Sequence, residues 1–123
     1  MAKTKPLISV VDDDESMREA VRGLMKSLGY TAEAFASAKE FLSSRQVPQT
    51  SCLIADVQMP GMTGLELHRQ LVASGKTIPT ILITAYPDDN VRERAIEDGI
   101  VGYLSKPFDE NDLLACIRSP LNI

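Results

Sequence analysis

The chain contains no tryptophan, a single histidine and two widely separated cysteines, and each scarcity closes off some chemistry. Without tryptophan, and with an acidic first loop, it lacks the ring-stacking and phosphate-cradling loops that a flavin site needs. Cys52 falls in an apolar strand-like run and Cys116 in an apolar helical pattern, so both read as buried hydrophobes rather than a disulfide or metal pair. No apolar stretch nears the roughly 20 residues of a membrane span, and the polar lead-in over residues 1–6 has no signal-peptide core. A cytoplasmic protein without a membrane partner is expected. Basic charge is short as well: a net charge of −4 argues against direct nucleic-acid binding by this domain, leaving any such role to an attached domain or partner. No repeat, low-complexity tract or second-domain boundary interrupts the sequence. Residues 1–123 are read as one domain with a core that needs no disulfide or structural metal.

What is present is an alternation of strand-like and helix-like patterns, repeated five times, which predicts an α/β fold with a parallel sheet covered by helices on both faces. Strand-like runs cover Leu7–Val11, 30–35, 52–55, 80–83 and 101–104. Helical spacing covers 15–28, with Gly29 as its stop, then a short helix over 38–44 and a polar loop around 46–50. Further helices are predicted at about 65–74, 88–98 and 110–118, the last closed by Ser119-Pro120. The run from Gln58 to Gly64 holds too much glycine and proline to be anything but a loop.

Four clusters follow four of these strands: Asp12-Asp13, Asp56, Thr84 and Lys106-Pro107. In a parallel sheet the carboxyl ends of the strands gather at one rim, where open α/β sheets place their ligands. Asp14 and Glu15 lie nearest the first helix and are explained by capping and the helix dipole. Capping explains Asp12 and Asp13 less well, because clustered carboxylates repel unless a cation neutralises them; hard oxygen donors with room for water suit Mg²⁺. Asp56 ends an apolar run before a loop, so capping does not account for it, and a carboxylate can serve as the nucleophile of phosphoryl transfer. Lys106 is either a solvated surface lysine or a movable point charge for Asp56 or a phosphoryl oxygen. Pro107 biases it toward extended backbone, or holds a cis bond. Thr84 is either a β-branched strand residue or a hydroxyl placed to bond a phosphoryl oxygen.

With these residues in order, the chain resembles the receiver domain of bacterial two-component response regulators over nearly its whole length. The resemblance rests on Val10-Val11-Asp12-Asp13, on Asp56 with Met59-Pro60-Gly61 and Gly64, on Thr84-Ala85, and on Lys106-Pro107-Phe108. It implies a flavodoxin-like sheet in the order 2-1-3-4-5. It also implies Asp56 as phosphoacceptor, Mg²⁺ held by Asp13, Asp56 and the backbone carbonyl of Gln58 with Asp12 acting through a water, and Lys106 on the phosphoryl group. Thr84 would be the switch hydroxyl and Tyr103 the switch aromatic, half-buried in the resting state. The implied donor is a sensor histidine kinase or phosphotransfer protein. The implied output is a reshaped face of the fourth helix, fifth strand and fifth helix, carrying Arg92, Arg94, Glu97, Asp98, Asp109 and Glu110. That face would serve phosphorylation-dependent dimerisation or release of an output domain; as a charged run it also fits a plain solvated surface. A narrower likeness, on Phe35-Ala36-Ser37-Ala38 and Phe41-Leu42, is to regulators of the nitrogen-fixation type with a helix-turn-helix output domain in transcription regulation. Gln58 and the bulky Tyr86 occupy places that tune hydrolysis in that family, and Asp14 adds an acid to the usual pair.

Two other readings compete. An aspartate-nucleophile phosphohydrolase would use Asp12 and Asp14 as its D-x-D, but it leaves Asp56 idle and lacks a cap domain. A docking module of the same fold would need none of the acceptor set. His68 is expected as a surface residue of the third helix rather than a phosphohistidine donor.

Overall fold

The computed structural model describes residues 6–121; the extreme ends, 1–5 and 122–123, which hold most of the expected lead-in and of the tail, lie outside the described residues. Strands β1 (Leu7–Val11), β2 (Thr31–Phe35), β3 (Thr50–Asp56), β4 (Thr80–Thr84) and β5 (Gly102–Ser105) alternate with helices α1 (Glu15–Ser27), α2 (Ala38–Leu42), α3 (Gly64–Ala73), α4 (Asp89–Glu97) and α5 (Glu110–Leu121). All strand pairs are parallel, in the order β2-β1-β3-β4-β5, as expected.

The central strands read as unbroken apolar runs because both faces of the sheet are covered. Successive side chains alternate between two cores. Val11, Leu53, Ala55 and Leu82 pack on the side of Phe41, Leu67 and Leu71, from α2 and α3. Ile8, Val10, Cys52, Ile54, Ile81 and Ile83 pack on the side of Val21, Met25, Leu113 and Ile117, from α1 and α5. Burial pushes the Cys52 thiol up to about 12, with Cys116 adding to the shift, so it stays a protonated hydrophobe.

The helix starts are set locally. Asp14 caps α1, accepting from the N–H groups of Ser16 and Met17. Asp88 caps α4 in the same way. Thr63 and Glu66 form a capping box at α3, each side chain bonding the other's backbone N–H at 3.1 and 2.9 Å. The box sits at the tail of the glycine–proline loop, whose composition hides a helix start ahead of position 65.

Three expectations are corrected. The polar stretch before β3 contains a 3₁₀ turn, Val47–Gln49, and β3 begins at Thr50, whose hydroxyl bonds Ser9 inside the sheet. α5 runs on past Pro120 to Leu121 instead of closing at Ser119-Pro120. His68 is buried, because positions 64, 67, 68 and 71 share one face of α3. Its ring nitrogens lie 3.2 Å from the Thr80 hydroxyl and 2.9 Å from the Asp98 carbonyl, tying α3 to β4 and to the end of α4.

Gly64 is where α3 leaves the rim, and a Cβ there would stand 2.5 Å from the Asp56 carbonyl oxygen and 2.9 Å from Leu82. Backbone cannot yield as a flexible side chain can, so Gly64→Ala is expected to destabilise by about 1–3 kcal/mol. Gly23 lies inside α1, where an added Cβ would meet nothing within 4 Å. Gly23→Ala is therefore expected to gain about 0.5–1 kcal/mol. Urea unfolding of both variants checks the contrast.

Candidate functional site

The expected acids, hydroxyl and lysine each sit at, or one or two residues past, the carboxyl end of a strand. Asp12 follows β1 and is fully buried; Asp56 is the last residue of β3 and is 6% exposed; Thr84 ends β4 and is fully buried. Lys106 follows β5, and its bond to Pro107 is cis. Asp13, by contrast, is exposed.

Asp12, Asp13 and Asp56 each present a carboxylate oxygen within 4.8 Å of the others. Lys106 Nζ lies 3.3 Å from Asp12 Oδ2 and 3.3 Å from Asp56 Oδ2, bridging the two buried acids. Their other oxygens serve the loops: Asp14 N–H donates to Asp12 Oδ1 at 2.9 Å, and Gln58 N–H to Asp56 Oδ1 at 3.3 Å. Asp12 does not cap α1, which Asp14 does; one of its oxygens holds the Asp14 N–H and the other faces Lys106. Arg18 donates to the Asp12 carbonyl at 2.9 Å and secures the strand end from α1.

Three carboxylates against one ammonium leave a formal charge of −2 at the rim. Burial, and then the Asp12 charge, push the Asp56 pKa above its ordinary value, and the charge and hydrogen bonds of Lys106 and Gln58 offset this only in part. Burial alone would lower the Lys106 pKa; Asp12 and Asp56 outweigh it, so the ammonium is held above the usual lysine value. The charge left over and the donor set, all oxygen with one exposed member to admit water, fit a hard divalent cation such as Mg²⁺.

The remaining expected residues stand apart from this group. The Thr84 hydroxyl donates to Gln58 Oε1 at 2.6 Å and accepts from Tyr86 N–H at 2.9 Å. Tyr103 is half-buried on β5, and its hydroxyl accepts from Asp88 N–H at 3.3 Å, at the start of α4. The family resemblance singled out Gln58 for its backbone carbonyl and as a position that tunes hydrolysis; its side-chain bond to Thr84, across 26 positions, had no local signal.

Five parallel strands in the order β2-β1-β3-β4-β5, with acids and a lysine gathered at their carboxyl rim, give the fold of a receiver-type signalling domain. The chain belongs to the response regulator receiver domain family, which matches residues 8–118. It is 39% identical to the response regulator protein TodT of Pseudomonas putida over 123 residues, all of this chain and 54% of that protein. It is 34% identical to the transcriptional regulatory protein FixJ of Bradyrhizobium diazoefficiens over 118 residues, 96% of this chain and 58% of FixJ, in keeping with the narrower likeness drawn from Phe35–Leu42. The structure of the response regulator StyR superposes with a TM-score of 0.88 at 44% identity, over 97% of this chain and 60% of that one. The chain thus spans about half the length of the curated relatives it matches. Among the described residues no helix is long and apolar enough to cross a membrane.

The raised Asp56 pKa fixes the sign of a pH effect. The folded chain binds this proton more tightly than the unfolded chain, so stability falls as pH rises from the ordinary carboxylate range through the folded value. In EDTA, Asp56→Asn is expected to have a higher Tm than wild type at pH 7, with the difference shrinking toward pH 4, roughly the ordinary aspartate pKa. Thermal unfolding at the two pH values reads the difference directly.

Proposed function

We propose that residues 1–123 form a single phosphoacceptor receiver domain of a two-component system, acting in the cytoplasm and taking a phosphoryl group onto Asp56 from a phosphohistidine on a sensor kinase or phosphotransfer protein. The observation that carries this reading is the bridge of Lys106 to both Asp12 and Asp56, which sets an activated acceptor beside a cation with the charge still unbalanced. In the transfer, an Asp56 carboxylate oxygen attacks phosphorus while the bond from phosphorus to the donor imidazole nitrogen breaks, giving an aspartyl-phosphate and free histidine.

Asp13, Asp56 and the Gln58 carbonyl would hold Mg²⁺, with Asp12 acting through a water. Bound there, the ion would supply positive charge to the phosphoryl oxygens. Lys106 is the group free to follow the negative charge: its ammonium exchanges Asp56 Oδ2 for a phosphoryl oxygen, as a point charge on a flexible stem can. Thr84 then donates its hydroxyl to a second phosphoryl oxygen. The space it vacates admits Tyr103, which exchanges the Asp88 N–H for a position beside Thr84 and reshapes the face of α4, β5 and α5. Arg92, Arg94, Glu97, Asp109 and Glu110 are exposed there, and Asp98 half-exposed. That face is assigned to phosphorylation-dependent dimerisation or to release of an attached helix-turn-helix domain, in transcription regulation. The chain's share in catalysis is limited to its own phosphorylation and dephosphorylation.

Intact mass after incubation with acetyl phosphate and Mg²⁺ tests the reading. Wild type is expected to gain a phosphate adduct that EDTA prevents and that is absent from Asp56→Ala. An adduct that survives in Asp56→Ala but is lost in Asp12→Ala would instead support the hydrolase chemistry.

A further inference from the structure

The Thr84 hydroxyl has one proton to give, and in this structure that proton is already committed. Its oxygen lies 2.6 Å from Gln58 Oε1. That separation is usual for O–H···O and short for N–H···O, so the amide oxygen faces the hydroxyl and the hydroxyl donates. Tyr86 N–H donates to the same oxygen at 2.9 Å, and Thr84 is fully buried, so no solvent competes for it. Gln58 also touches the acceptor, through its backbone N–H to Asp56 Oδ1 at 3.3 Å. One exposed loop residue therefore contacts both the carboxylate and the hydroxyl that a phosphoryl group would have to engage.

We infer that the Gln58 side chain is a latch on the resting state: it holds the Thr84 proton away from the rim and sets how readily the switched state forms. The inference rests on the receiver reading above. For Thr84 to bond a phosphoryl oxygen, the bond to Gln58 Oε1 must break, so the switch exchanges one hydrogen bond for another. A charged acceptor wins that exchange, since charge-assisted bonds are roughly twice as strong as neutral ones. The energy of the bond given up is still subtracted from the bias toward the switched state. Gln58 acts on the switch through Thr84 and is a positioning residue.

Titration with beryllium trifluoride, a tetrahedral phosphoryl mimic, in Mg²⁺ and read by backbone amide NMR shifts tests the latch. Removing a neutral hydrogen bond from the resting state only, in Gln58→Leu or Gln58→Ala, is expected to tighten half-saturation about fivefold. In a Thr84→Val background, which has no proton to hold, the same substitutions are expected to change nothing; a loop residue with a merely structural role would act equally in both backgrounds. Unchanged or weaker binding in the Gln58 variants, or equal tightening with and without the Thr84 hydroxyl, overturns the latch while wild-type binding upholds the receiver reading. Wild type that does not bind the mimic at all overturns both.

Discussion

The ammonium of Lys106, shared between two buried carboxylates, is the contact on which the rest of this rim depends. Asp12 and Asp56 are adjacent because β1 and β3 are neighbours in the sheet, and neither would tolerate the other at close range without a cation. Lys106 comes from β5, two strand spacings or about 9–10 Å from β3. Its side chain must pass over the end of β4, so a long flexible residue is needed at that position, and Thr84 ends up beside its path. The ammonium neutralises only part of the acid charge, and the raised Asp56 pKa registers the remainder. A site left short of positive charge is one that a hard divalent cation can complete.

A second layer lies beside the acid–lysine group. Gln58, Thr84 and Tyr86 are joined by hydrogen bonds over the end of β4, while Tyr103 is bonded to the start of α4. The two layers meet at Gln58, whose backbone serves the acid and whose side chain serves the hydroxyl. Asp56 is thereby linked to the end of β4 by hydrogen bonds through Gln58. His68 ties together the far ends of β4 and α4.

The sheet order and the rim were legible because their causes are local. An apolar run that stops at an acid or a hydroxyl marks a strand end, and parallel topology then places those ends together. Asp14 was legible as a cap for the same reason, whereas Asp88 read as the first residue of the helix that it caps. The Thr63-x-x-Glu66 box was as local, but lay masked in a loop defined by its glycines and proline. Other features depend on partners distant in sequence. His68 reads as a surface residue until Asp98, 30 positions on, is folded against it. The Gln58–Thr84 bond and the pairing of Tyr103 with Asp88 likewise join separate loops, and no spacing rule reaches across them.

The most direct test is to find the residue that carries the phosphoryl group. Borohydride reduces an aspartyl-phosphate to homoserine, which peptide mass spectrometry locates, so the protein would be phosphorylated in Mg²⁺, reduced and mapped. Homoserine is predicted at position 56 and at no other aspartate. Homoserine at position 12 or 13, with aspartate intact at 56, would contradict the assignment of Asp56 as acceptor.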